Sequence, residues 1–182
     1  MRKFIGAAAA GAVVLASLAL SVPQANAAPP LLSTRKGVIL VTTDPWVTSW
    51  GVPIFTGFGH SAIIYSTSTV VEAVSKGVVL GSNNWNTARK HYRAGTVRTT
   101  TTAQDAAAAD WAHTQIGKPY NYNFYDMNNR NKFYCSQLVW AAFKDKYGID
   151  LNTSAYVFLG LHAIAPTELL PNNPKTIVIG TQ

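Results

Sequence analysis

Disulfide chemistry is the first thing this sequence lacks: its 182 residues hold one cysteine, Cys135, so no internal disulfide can form. In an exported chain such a leftover thiol is either buried or reactive. Charge is sparse as well, at 13% of residues, with 8 Asp and Glu against 15 Lys and Arg. The basic residues are dispersed rather than run together, and no nucleic-acid partner is expected. Ordinary solubility explains that balance as well as attraction to an anionic envelope polymer does. No histidine pair stands at HExxH spacing and no second cysteine exists, so neither a zinc site nor any other cofactor is expected. A G-x-S-x-G elbow is missing too, which counts against a serine hydrolase.

What the chain does have begins at its N-terminus. Arg2 and Lys3 precede an apolar run from Phe4 to Val22, followed by Ala25-Asn26-Ala27. This is the pattern of a secretory signal peptide over residues 1–27, cleaved after Ala27. The run approaches membrane-spanning length, so an anchor is the competing reading; Gly6, Gly11 and the many alanines weaken it. Cleavage leaves one domain, 28–182, with 13 basic against 8 acidic residues, long enough for a proper core. A secreted or cell-wall-associated monomer is expected.

The most informative stretch is Phe133-Tyr134-Cys135-Ser136-Gln137-Leu138-Val139-Trp140. From Cys135 the apolar positions Leu138, Val139, Ala142 and Phe143 follow helical spacing, and Gly148 stops the pattern. The thiol therefore opens a helix, where unpaired amides and the positive end of the dipole favour a thiolate. A lone buried cysteine is more commonly a small hydrophobe, so the assignment depends on its neighbours.

Upstream, Gly37 to Thr43 is a β-branched strand. Asp44 to Gly59 is irregular and aromatic, with Trp46 and Trp50 either lining a groove or covering the core edge. Two runs, His60 to Tyr65 and Val70 to Val74, form a hairpin around a polar turn. Glu72 stands out among apolar neighbours, because carboxylates are rarely buried unless paired. With an odd-length turn His60 and Glu72 would be cross-strand partners on one face; as isolated residues, both could equally be structural. Lys76 to Leu80 reads as a strand, Gly81 to Arg93 as a polar surface excursion, and Gly95 to Thr100 as another strand. Thr102-Ala103-Gln104-Asp105 resembles a capping box opening an alanine-rich helix that Gly117 and Pro119 end. An Asn- and Tyr-rich loop then leads to Cys135, a short helix begins near Pro166, and Ile177 to Ile179 makes a last strand.

Cysteine hydrolysis needs a thiolate, an imidazole, a polar group that orients the imidazole, and an oxyanion donor. Cys135, His60, Glu72 and the Cys135 backbone amide can supply them in that order.

The segments Gly37-Val38-Ile39-Leu40, Gly59-His60-Ser61-Ala62-Ile63, Val71-Glu72-Ala73, Gly117-Lys118-Pro119-Tyr120 and Phe133 to Val139 together resemble the circularly permuted branch of the NlpC-like, papain-like cysteine peptidases, the YiiX/YebB-like group. The resemblance spans nearly all of the mature chain, and His60 precedes Cys135 as the permuted order requires. It implies an α+β permuted papain-like fold, a small antiparallel sheet packed against the nucleophile helix. It also places Cys135, His60 and Glu72 on the family's catalytic positions. Val38 stands where the family often has Asp, and Gln137 where Glu is common. Tyr120, Tyr134, Ser136, Trp46 and Trp50 are the expected substrate contacts. The resulting expectation is a secreted cysteine amidohydrolase acting on peptidoglycan stem peptides. The alternatives are a lipid or small-molecule amidase or acyltransferase, and a catalytically silent wall-binding module.

Overall fold

The computed structural model describes residues 29–47, 53–55, 59–155, 157–158 and 161–182. Residues 1–27, where the sequence predicts a leader, and Trp50 lie outside the described residues. Fourteen elements follow in order: β1 (Ile39–Thr42), β2 (Trp46–Val47), β3 (Pro53–Phe55), β4 (His60–Ile64), β5 (Thr69–Val74), β6 (Gly77–Ser82), α1 (Trp85–Ala88), β7 (Tyr92–Val97), α2 (Thr102–His113), α3 (Cys135–Tyr147), β8 (Val157–Phe158), β9 (Leu161–His162), α4 (Pro166–Leu169) and β10 (Thr176–Thr181). None of the helices among the described residues is long and apolar enough to cross a membrane.

Six strands make one antiparallel sheet in the order β10-β7-β1-β4-β5-β6. β1 lies at its centre because Ile39-Leu40-Val41-Thr42 is buried on both faces, as a continuous apolar run must be. Alternation sends Ile39, Val41, Ile63, Val71 and Ala73 to one face, where they meet Leu138, Val139 and Phe143 of α3 and the alanines of α2. Val38, Leu40, Ala62, Ile64 and Val70 point the other way, against Trp85 and Tyr92. The α+β architecture implied by the resemblance is therefore the one observed, an antiparallel sheet against the nucleophile helix.

α3 is buried throughout its first nine residues, Cys135 to Phe143. A helix apolar on all sides belongs in the core rather than on it. Gly148 ends it in the left-handed region at φ 67°, and its N–H returns to the Lys144 carbonyl at 2.8 Å, a glycine C-terminal cap.

Two readings of the middle of the chain are corrected. The stretch from Gly81 to Arg93 is not a surface excursion: it forms α1 and the start of β7, and its Trp85 and Tyr92 are each 2% exposed. Two aromatics among polar residues show no periodicity, yet they cover the second face of the sheet. The capping box of α2 lies one residue earlier than Thr102. The Thr101 hydroxyl accepts from Gln104 N–H at 3.3 Å, and Gln104 Oε1 accepts from Thr101 N–H at 2.8 Å. Asp105 instead points inward, accepting from both terminal nitrogens of Arg35 at 3.0 Å and from the Thr100 hydroxyl.

Candidate active site

The site forms at the end of the sheet where β4 begins. Gly59 precedes it at φ 66°, and a side chain there would run into the Thr42 carbonyl, so only glycine lets the chain turn tightly into His60. Cys135 is the first residue of α3, 8% exposed and unpaired by disulfide. The His60 imidazole and the backbone amides of Ser61 and Ser136 lie close enough to its sulfur to act on it. Burial alone would push the thiol up; the hydrogen bond and charge of His60, with the two amides, more than offset it and hold the pKa below its ordinary value.

His60 Nε2 lies 2.6 Å from Glu72 Oε2, which leaves Nδ1 for the thiol. Burial would favour the neutral ring, but the bonds to Cys135 and Glu72 reverse the effect and push the imidazole up from 6.5 to about 9. Glu72 responds in kind: desolvation would raise it, but the bond to His60 holds its carboxyl below the usual range. All three shifts act in the same sense, toward a thiolate, an imidazolium and a carboxylate in a row, with charges alternating in sign.

The hairpin turn is odd in length, closed by Tyr65 N–H donating to the Thr69 carbonyl at 3.0 Å, so His60 and Glu72 do share a face. They are not directly opposed, however. The register Ile63↔Val71 and Ile64↔Val70 continues to put Glu72 across from Ala62, and His60 is its diagonal neighbour, a separation that long side chains still bridge. Their face is the one covered by Trp85, while α3 packs on the other. The thiol reaches the imidazole around the end of β4, beside Ser61.

The remaining expected contacts do not behave alike. Tyr120 is 8% exposed and near the thiol: burial and then the Cys135 charge push its phenol well above the ordinary range, so it stays a hydrogen-bond donor. Tyr134 and Ser136 are buried and committed to backbone. The Tyr134 hydroxyl accepts from Ile164 N–H at 3.1 Å and the Ser136 hydroxyl donates to the Ile164 carbonyl at 2.7 Å. They pin the segment before α4 to the nucleophile helix rather than opening toward a ligand. Trp46 lies in β2.

Sequence reasoning missed four residues here. Trp85 stacks on His60, with ring centroids 5.9 Å apart, and Arg89 lies over the Trp85 ring. Gly81 leaves the space that Glu72 Oε1 occupies. Gln137, noted only as a departure from Glu, is fully buried and organises the Asn- and Tyr-rich loop. Its Oε1 accepts from Tyr134 N–H and Asn121 Nδ2, both at 3.1 Å. Its Nε2 donates among the carbonyls of Asp126, Met127 and Asn129 at 3.2, 3.0 and 2.9 Å. The signal available was its position at the third residue of the helix, where Glu or Gln reaches back to the capping amide.

Comparison with known proteins gives three matches. YycO of Bacillus subtilis (strain 168), an uncharacterized protein, is 36% identical over 102 residues, covering 53% of this chain. The match spans 40% of that relative's own length. The crystal structure of the metalloprotein YiiX from Escherichia coli O157:H7 superposes with a TM-score of 0.60 over 82% of this chain and 98% of that one, at 16% identity, a likeness of fold. Among the described residues of this chain no group of three His, Cys, Asp or Glu side chains is arranged to hold a metal, and the His60 ring is taken up by Glu72 and the thiol. Residues 34–163 match the model of the permuted papain-like amidase enzymes. The order of histidine strand before cysteine helix, the sheet that carries them and this match agree: the chain belongs to the permuted papain-like amidase family of YaeF and YiiX, peptidase family C92.

Proposed function

We propose that this protein is a secreted cysteine amidohydrolase that cleaves amide bonds in peptidoglycan stem peptides. Family membership supports amide hydrolysis. The observation that carries the residue assignment is the 2.6 Å bond from His60 Nε2 to Glu72 Oε2 on an imidazole that also bonds the Cys135 thiol. Cys135 Sγ attacks the scissile carbonyl carbon, and the oxyanion that develops is met by the Cys135 backbone N–H at the start of α3. Tyr120, protonated and close to the sulfur, is placed to border the bound acyl group. His60 then passes its proton to the leaving amine as the C–N bond breaks, giving a thioester and a free amine. Water, deprotonated by the now neutral His60, attacks the thioester carbonyl and releases the acid, restoring the thiolate and the imidazolium. Glu72 holds the ring and offsets its charge throughout.

The wall as destination is supported by the leader pattern of residues 1–27. Digestion of purified wall fragments by the wild-type protein and by Cys135→Ala, with mass analysis of the products, tests it. New amine and carboxyl termini within stem peptides are expected with the wild type alone. Intact fragments, together with turnover of a lipid ester or amide, would transfer the reaction to a lipid substrate.

A further inference from the structure

His60 is held from behind as well as through its two ring nitrogens. Trp85 stacks on it with the ring planes 22° apart, and at 2% exposure the indole keeps water from that side of the bond between His60 and Glu72. Trp85 opens α1, a helix of four residues with no side-chain cap, too short to be stable by itself. Its place is set by two segments that flank the residues 34–163 matched by the family model. Before them, Leu32 packs against the cluster that holds Trp85 and Tyr92 and lies on Gly180, where a Cβ would stand 3.1 Å from that of Leu32. The Leu32 N–H donates to the Tyr92 hydroxyl at 3.0 Å, and the Pro29 carbonyl accepts from Asn86 Nδ2 of α1. After them, Gln182 exchanges backbone hydrogen bonds with Tyr92 at 2.9 and 3.2 Å, and its Nε2 donates to the Asn86 carbonyl at 3.1 Å. Tyr92 in turn meets the Trp85 ring edge-on, with centroids 5.8 Å apart.

We infer that Trp85 is a positioning residue for His60, and that residues 29–33 and Gln182 form the clamp that seats it. A flat ring packed on the face of the imidazole confines it to the plane in which Nε2 meets Glu72 and Nδ1 meets the thiol, whereas an aliphatic side chain would leave the ring free to turn. Segments remote from Cys135 in the sequence thereby fix the orientation of the proton carrier. The inference rests on reading Cys135, His60 and Glu72 as the reacting groups, but its test uses no substrate, so a failure to digest wall fragments would leave the result standing.

The test follows, by NMR saturation transfer from water, the ring N–H proton that His60 directs at Glu72, assigned by its loss in His60→Gln. The indole N–H of Trp140 in α3, bonded to Asp150 at 2.8 Å, serves as the reference for general loosening. In Trp85→Leu, which keeps an apolar side chain but no flat face, exchange at His60 is expected to quicken about tenfold relative to Trp140. Trp85→Phe, which restores a ring, should recover most of that protection. Leu32→Ala combined with Gln182→Ala leaves Trp85 in place and loosens its clamp, so the same quickening by a smaller factor is expected. Should that pair unfold the chain, Tyr92→Phe removes only the hydroxyl that holds Leu32 and should act in the same direction. An unchanged ratio of His60 to Trp140 exchange in Trp85→Leu overturns the positioning role, and an unchanged ratio in the clamp variants overturns the clamp. Equal quickening of both protons overturns the inference as a whole, because these residues would then be general stabilisers of the fold.

Discussion

At the scale of single residues, the three reacting groups differ in what their loss removes. Cys135→Ala deletes the nucleophile and His60→Ala the proton carrier, so both should fall to background on any amide substrate. Glu72→Gln keeps a hydrogen-bonding group beside the ring but loses the charge that favours imidazolium, and roughly a hundredfold loss in kcat is expected. In the wild type, activity should rise through the lowered titration of the thiol and decline through that of His60 near 9, both midpoints belonging to the coupled pair. Glu72→Gln should move the alkaline limb toward lower pH, which a pH series of kcat/KM measures. Gly81→Ala offers a subtler disturbance. Its methyl would fall on Glu72 Oε1, pushing the carboxylate off the imidazole without deleting it, so a partial loss with the same acid-going shift is expected. A Gly81→Ala enzyme with an unmoved pH profile would mean that Glu72 has room to relax.

At the scale of elements, α3 and the loop before it are joined through Gln137. The amide is both acceptor and donor, and its donor side faces three carbonyls. Gln137→Glu would replace the donor with a carboxylate oxygen aimed at those carbonyls, in a position with no exposure to water. A loss of roughly 3 kcal/mol in urea denaturation is expected, with a larger rise in KM than fall in the Cys135 alkylation rate, because the loop moves before the thiol does. A Gln137→Glu protein as stable as the parent would show that the loop reorganises around the charge.

At the scale of the whole molecule, the charge row makes stability depend on pH in two directions. Glu72, held below its ordinary 4.5, contributes stability that is present above that value and is lost as pH falls through the folded value. His60, raised from 6.5 to about 9, contributes fully below 6.5 and loses its share as pH rises through about 9. The lowered thiol acts in the opposite sense to His60, contributing above its unfolded value of 9.0, so the proton it loses offsets much of the one the imidazole gains. The Tm difference between wild type and Glu72→Gln should therefore be greatest at mildly acidic pH and shrink as pH drops below about 4.5, as calorimetry across pH would show. Export belongs to this scale as well. Ala25 and Ala27 are the small side chains that a signal peptidase accepts, so N-terminal sequencing of culture supernatant should begin at Ala28, and a retained membrane-bound N-terminus would make Phe4 to Val22 an anchor.

The start of α3 at Cys135, its stop at Gly148 and the buried β1 were all legible in the sequence, whereas the odd length of the turn between His60 and Glu72 was a condition that only the strand register met. The first three are each governed by neighbours within a few positions: apolar spacing, a left-handed glycine, strand alternation. The order of histidine before cysteine is likewise a property of the chain alone. What only the tertiary structure decided was which side chains meet across strands and layers. Local pattern marked Tyr134 and Ser136 as neighbours of the nucleophile, but their hydroxyls are taken by Ile164, a residue brought in from the far side of α3. It marked Gly81 to Arg93 as polar, but folding lays Trp85 against His60, Arg89 over Trp85 and Gly81 beneath Glu72. Periodicity reports whether a residue faces inward; its partner there is set by sheet order and register, and those come from the packing of the whole chain.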